Sequence, residues 1–356
     1  MSELLDDFDA ALFDLDGTLF RGGTALPGAA AAVAEVARRG ARVGFLTNNG
    51  SRSPDEVVEH LRVLGFRAEP DEVITSGQAA VRMLAERVPA GSPVVVVGTA
   101  SLAAEATAAG LRVVTSAEPG ASVLQGHSPD TGWRQLAEAC LAIRAGGVWV
   151  ACNVDATLPD ERGLLPGNGA MVAALRQATG QSPVVAGKPE AALFDEALRR
   201  SGARRALVVG DRLDTDIAGA NGVRLPSLLV LTGVSTPADV LSAPATARPD
   251  FIGADLGALW TDRALSSVLR QPPWLVEAEG GQLSLRAEPS PETSTESSTE
   301  SSTESGTDNG TVHSDPLGAL RSLCAVHWAQ GGGPARTRGL DEPAERALRA
   351  LNLPVD

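Results

Sequence analysis

Two aspartates, Asp14 and Asp16, alternate at the end of the apolar run in "AALFDLDGT". Side chains at i and i+2 of a strand share a face, so both carboxylates would stand together at the strand's C-terminal end. Open parallel sheets bind ligands at those ends. Two like charges so placed are costly unless a metal, a proton or hydrogen-bond donors offset the repulsion. Gly17 permits the tight turn that leads the chain away. By itself a DxD pair is also an ordinary polar turn, and the motif alone is weak.

Three further fragments carry complementary chemistry. "FLTNNGSRSP" (45–54) follows a second strand expectation. The Thr47 hydroxyl, the Asn48 and Asn49 amides and nearby backbone N–H groups can cradle an anion, although the same residues also make common turns. "SPVVAGKPEAALF" (182–194) holds Lys188, the only lysine among 30 strong cations. Pro189 suits the first position of a helix ending at Gly202, which sets Lys188 beside a helix N-terminus. A compact ammonium there can hold one phosphate oxygen as a point charge. A solvated surface lysine fits poorly, because this chain otherwise uses arginine at such positions. In "LVVGDRLDTDIAGA" (207–220), Asp211 ends a strand, with Asp214 and Asp216 close behind. Oxygen ligands without a neighbouring His or Cys point to Mg²⁺; the alternative is an acidic first helical turn. Together the four fragments supply a carboxylate nucleophile, a second carboxylate, hydroxyl and ammonium anion ligands, and a metal-holding acid. That set suits phosphoryl transfer.

The elements that must position them follow from periodicity. Residues 1–270 alternate β-branched runs with Ala/Leu/Arg segments of helical period, which indicates βαβ units around a parallel sheet. "ARVGFLT" and "RRALVVGD" read as strands. Ser53 with Glu56 makes a capping box, with Pro54 at the first helical position and Gly65 past the end. Residues 89–185 keep an α/β rhythm of their own and read as a small domain inserted between 1–88 and 186–270. Residues 271–288 read as a hairpin turning at Gly280-Gly281. The Ser/Thr/Glu repeats of 289–314 lack the apolar residues to repay ordering entropy and read as a disordered linker. Two helical candidates fill 315–356, with Leu317, Leu320, Cys324 and Trp328 on one packing face.

Composition narrows the function. The formal charge is −14 and tyrosine is absent. Nucleic acid and anionic membrane surfaces are therefore poor partners. Three cysteines without a CxxC spacing suit a reducing cytoplasm, and four scattered histidines suit no zinc site. No signal sequence and no membrane-spanning run is legible.

The order DxDGT, T-N-N, G-K-P and G-D-x-x-x-T-D resembles the haloacid dehalogenase (HAD) superfamily. "LTNNGSRSP", "VACNVDATLPDERGLLPGNGAMVAAL", "GKPEAALF" and "LTGVSTPADV" are similar to its NagD-like, nitrophenylphosphatase and phosphoglycolate phosphatase branch. The similarity spans residues 8–262 and stops short of the C-terminal segment. It implies a Rossmann-like parallel core with a large α/β cap over residues 89–185. It also implies a Mg²⁺-dependent phosphatase acting through an aspartyl-phosphate. Asp14 would be the nucleophile and Asp16 the general acid and base. Mg²⁺ would be held by Asp14, the Asp16 carbonyl and Asp211, while Thr47, Asn48, Asn49 and Lys188 bind the phosphoryl group. Asp216 and Asp214 would stand behind the metal, and Asn153 and Asp155 of the cap would face the substrate, with a strand-end turn as the plainer reading of "CNVD".

A small phosphorylated metabolite is the implied substrate: phosphoglycolate, glycerol phosphate, a nucleotide, a sugar phosphate or pyridoxal phosphate. A homodimer through the cap is a further implication. A phosphomutase and a non-catalytic scaffold with the same fold are the rival readings. Lys188→Arg is expected to turn over poorly in a p-nitrophenyl phosphate assay, because a planar fork does not replace a point charge in a tight site; a near-normal rate would remove the role given to this lysine.

Overall fold

The computed structural model describes residues 2–160, 162–288 and 315–355. The Ser/Thr/Glu tract of 289–314 lies outside the described residues. A six-stranded parallel sheet forms the centre of the molecule. The strand Ala10–Asp14 lies between Arg42–Thr47 on one side and Ala206–Gly210 on the other. Val73–Thr75 extends one flank, and Ser227–Val230 then Phe251–Gly253 extend the other. The central strand is apolar on both faces, and Ala10 through Phe13 are fully buried. This is the pattern of a parallel strand covered by helices on both sides. The helix Pro54–Val63 starts as expected: the Glu56 N–H donates to Ser53 Oγ at 3.2 Å, and Glu56 Oε2 accepts from the Ser53 N–H at 2.7 Å.

A second sheet of five parallel strands is built from residues between Pro93 and Val185. An antiparallel ribbon, Thr157–Asp160 with Gly163–Pro166, projects beside it. Alternation did not announce this ribbon, because "TLPDERGLLP" lacks a clean period of two. One apolar cluster crosses from this sheet to the central one, joining Leu102, Leu124, Val150 and Cys152 to Leu12, Leu46 and Ile74.

The C-terminal residues depart from the expected pair of helices. Strands Trp274–Glu279 and Gln282–Ala287 form the hairpin, turning through Gly280 and Gly281 at φ +56° and +83°. Two successive positive φ values define the primed turn that matches strand twist and favours glycine. Helices Pro316–Ala329 and Glu342–Ala350 are present, but Arg336–Gly339 between them is a strand, paired in parallel with Gln282–Ala287. A parallel partner requires a crossover, which the helix Pro316–Ala329 supplies. Thr337 fastens this strand by donating to the Pro354 carbonyl at 2.6 Å.

Candidate active site

Parallel strands deliver Asp14, Thr47 and Asp211 to one edge of the central sheet, because each ends or follows a strand running the same way. The lysine comes from a different direction. Pro189 does not open a helix as expected: Glu190 is the N-cap and the helix runs Ala191–Ser201, so Lys188 reaches the site from the loop before it. Its ammonium donates to Asp14 Oδ1 at 2.5 Å and to Asp216 Oδ1 at 2.6 Å. Lys188, Asp211 and Asp216 are all buried, and the Asp14 side chain is 14% exposed.

Asp211 and Asp216 are each held by a backbone N–H. Asp211 Oδ2 accepts from the Val234 N–H at 2.7 Å, and the Thr18 hydroxyl stands 3.4 Å from Oδ1. Asp216 Oδ2 accepts from the Arg212 N–H at 3.1 Å. Gly17, at φ +87°, leaves no room for a side chain: a Cβ there would lie 2.5 Å from Asp211 Oδ2. Residues Leu213–Ile217 form a π turn, in which the Ile217 N–H reaches back to the Arg212 carbonyl at 3.2 Å. Such turns recur at functional sites; here the turn aims Asp216 inward.

Asp14, Asp211 and Asp216 bring carboxylate oxygens within 4.8 Å of one another. Three carboxylates against one ammonium leave two negative charges uncompensated when all are ionised. Burial pushes the Asp14 carboxyl well above the ordinary aspartate value; Lys188 opposes this, and Asp216 and Asp211 add to it. Burial raises Asp211 too, with Asp216 reinforcing, to about 6. Burial works to lower the Lys188 ammonium, but Asp14 and Asp216 outweigh it and keep lysine charged. A divalent cation with a hard, oxygen-loving shell fits this deficit in charge and in donor type. Asp16 stands exposed at the mouth, yet the protein crowded around it raises its carboxyl, against the charges of His60, Arg52 and Lys188. A carboxyl raised in this way keeps its proton to a higher pH than an ordinary aspartate, which suits a group that hands a proton on.

Not every expected site residue points at this cluster. Asp214 turns outward, 68% exposed, into a two-pronged pair with Arg212 at 3.0 and 2.7 Å. Asp216 stands beside Asp14 rather than a layer behind, although both its oxygens are committed to Lys188 and Arg212. Asn49 Oδ1 is occupied by the Ser51 N–H and hydroxyl, at 3.0 and 2.6 Å. The Thr47 hydroxyl accepts from the Asn49 N–H at 3.0 Å and keeps its own proton free to donate.

The Asn48 side chain takes a different part from the one its motif suggested. Its Oδ1 accepts from the Lys188 N–H at 2.7 Å, and its Nδ2 donates to the Lys188 carbonyl at 3.1 Å. The same Nδ2 lies 3.4 Å from both oxygens of Asp155. Asn153 donates to the Asn48 carbonyl at 2.7 Å, and Asn168 to the Asn153 carbonyl at 2.7 Å. Asn153 is thus a fastener between the two sheets, and Asp155 faces the mouth near Lys188 and Arg212. Thr18, Asn168 and the Val234 N–H were invisible to motif reasoning, because their partners lie up to 193 residues away in the chain.

These geometries meet in one class of protein, and the comparisons agree. Residues 11–112 match the family model described as haloacid dehalogenase-like hydrolase, and 185–259 match one described as HAD-hydrolase-like. Residues 271–353 match a model described as GCN5-related N-acetyltransferase like domain. The chain belongs to the haloacid dehalogenase-like hydrolases. It is 52% identical over 289 residues to D-glycerol 3-phosphate phosphatase of Mycobacterium tuberculosis, covering 81% of each chain. It is 37% identical to an acid sugar phosphatase of Staphylococcus aureus, over 66% of this chain and 91% of that one. The crystal structure of a glycerol phosphate phosphatase from M. tuberculosis in complex with magnesium has a TM-score of 0.88 at 46% identity, covering 99% of this chain and 100% of that one. A p-nitrophenyl phosphatase from Archaeoglobus fulgidus scores 0.65 at 29% identity, over 71% and 98%.

Asn48→Asp would keep an acceptor for the Lys188 N–H, lose both Nδ2 contacts and set a second carboxylate against Asp155. Its kcat/KM is expected to fall about 10- to 100-fold, the range for losing hydrogen bonds that involve charged groups, with weaker inhibition by inorganic phosphate. Unchanged steady-state constants would exclude Asn48 from holding the lysine.

Proposed function

We propose that the protein hydrolyses glycerol 3-phosphate, with Mg²⁺ as cofactor, by way of a phosphorylated Asp14. Phosphatase chemistry and magnesium are common ground with its relatives. The choice of glycerol phosphate rests on the 52% identical relative of that name. The observation that carries the mechanism is the buried contact of Lys188 with Asp14 and Asp216 next to Asp211.

Asp14 Oδ attacks phosphorus, and the bond from phosphorus to the ester oxygen breaks. Asp16, its pKa raised, delivers its proton to the departing alkoxide, which matters because an alkoxide leaves poorly. Asp16 then takes a proton from water as that water attacks the aspartyl-phosphate; inorganic phosphate departs and Asp14 is restored. The Asp14 and Asp211 carboxylates and the Asp16 carbonyl would hold Mg²⁺. When bound, the ion neutralises the acid cluster and offsets charge on the transferring phosphoryl oxygens. The Thr47 hydroxyl, the Asn48 N–H and the Lys188 ammonium orient those oxygens, with the Asn49 N–H holding the Thr47 hydroxyl oxygen from behind. Asp216 keeps lysine in place. We assign residues 89–185 as a cap that excludes water when closed, with Asp155 at its contact with the alcohol.

The acidic balance supports a partner set without nucleic acid or membrane, and the three free cysteines support a cytoplasmic location. No helix among the described residues is long and apolar enough to cross a membrane. Trp133 and Leu141, 81% and 57% exposed on the helix Trp133–Arg144, support a homodimer through the cap.

With Mg²⁺ and a panel of glycerol, sugar, nucleotide and glycolate phosphates, glycerol 3-phosphate is expected to give the highest kcat/KM, and Asp14→Asn to abolish phosphate release while folding is kept. Preference for a sugar phosphate would redirect the substrate assignment. An isomerised sugar phosphate in place of free phosphate would favour a mutase, and wild-type turnover in Asp14→Asn would remove the nucleophile.

A further inference from the structure

Hydrolysis as described uses nothing beyond residue 234, yet the C-terminal unit is built into the phosphatase core. The helix Pro316–Ala329 is buried on nearly all sides, with Gly318 through Cys324, Val326 and His327 all buried. One side rests on its own hairpin; the other meets the helix Pro237–Leu241 and the edge strand Phe251–Gly253. Arg321 is 6% exposed and donates through Nε and Nη2 to the Ile252 carbonyl, at 3.0 and 2.7 Å. Arg248 returns the contact from the core: its Nη2 donates to the Gly331 carbonyl at 2.9 Å, and its guanidinium lies 5.3 Å from the centre of the Trp328 ring. Trp328 in turn donates to the Leu241 carbonyl at 3.3 Å.

This packing continues to the acid cluster. Leu213 and Ile217 are the apolar members of the π turn that follows Asp211 and carries Asp216. Both belong to one buried cluster with Leu241 and Ile252 of the core and with Leu320, Leu323 and Cys324 of the C-terminal helix. A π turn is rare and short, and here its two apolar residues are anchored in that shared cluster.

We infer that residues 271–288 and 315–355 form a built-in brace that holds the Asp211–Ile217 segment in shape, so that side chains of the helix Pro316–Ala329 help to set the affinity for the divalent cation. The inference rests on the reading of Asp14 and Asp211 as the acids that hold that cation. It gives the unit a positioning role in the phosphatase, independent of any ligand of its own.

The test uses the full-length chain and Mn²⁺, an octahedral oxygen-seeking probe, with binding followed by electron paramagnetic resonance. Leu320→Ala removes packing, and Arg321→Met removes the staple while keeping an apolar stem, so a folding failure of the first leaves the second. Leu61→Ala, in the separate cluster on the other side of the sheet, is the control, with melting temperatures recorded for all three. Both brace variants are expected to raise the Mn²⁺ dissociation constant about fivefold or more, about 1 kcal/mol, with KM for substrate at saturating metal unchanged. Leu61→Ala is expected to lose comparable thermal stability at unchanged Mn²⁺ affinity. Wild-type affinity in both brace variants, or an equal loss in Leu61→Ala, overturns the brace. Asp211→Asn separates the two levels: wild-type affinity in that variant overturns the metal reading itself, and the brace with it.

Discussion

A single ammonium buried among three carboxylates sets the terms for the rest of this molecule. Lys188 cannot lie between Asp14 and Asp216 unless its charge is matched, and the acids cannot crowd together unless a further cation or a proton completes the balance. Such an arrangement needs rigid walls. The central sheet supplies them, because three adjacent parallel strands end at the same level. Gly17 lets the chain pass over Asp211 without a side chain intruding, and the Val234 N–H fixes the Asp211 carboxylate from the other side.

The same lysine ties chemistry to domain geometry. Its backbone N–H and its carbonyl are both held by the Asn48 side chain, which also reaches Asp155, while the Asn48 carbonyl receives Asn153. One side chain thus joins the second sheet to the backbone that carries the ammonium. Asparagine suits this junction because one amide both donates and accepts, which neither aspartate nor lysine does. A shared apolar cluster beneath the junction gives the two sheets a common resting position.

On the opposite flank the edge strand Phe251–Gly253 presents carbonyls that an unprotected sheet would leave open to pairing with another chain. Arg321 occupies the Ile252 carbonyl, and the C-terminal helix covers the edge. A helix apolar on all sides is stable only when sandwiched, which explains why the single face drawn through Leu317, Leu320, Cys324 and Trp328 understates its burial. The unit that matches an acetyltransferase-like model and the unit that matches a hydrolase model thus share one interior.

Local pattern alone determined much here. Alternation and capping located the central strands and most helices, because apolar period and the Ser53–Glu56 box act within a few residues of themselves. The solitary lysine and the spaced aspartates were legible because their residue types are rare or costly in any bland setting. Tertiary structure decided what those groups do with their neighbours. It turned Asp214 to solvent, drew Asp216 beside Asp14, moved Lys188 off the helix start and gave the Asn48 and Asn49 side chains to the backbone and to Ser51. It also made a strand of Arg336–Gly339 by offering a parallel partner some fifty residues away. The reason is common to all of these: a side chain with several competing partners chooses by distance, and distances between remote segments exist only once the chain has folded.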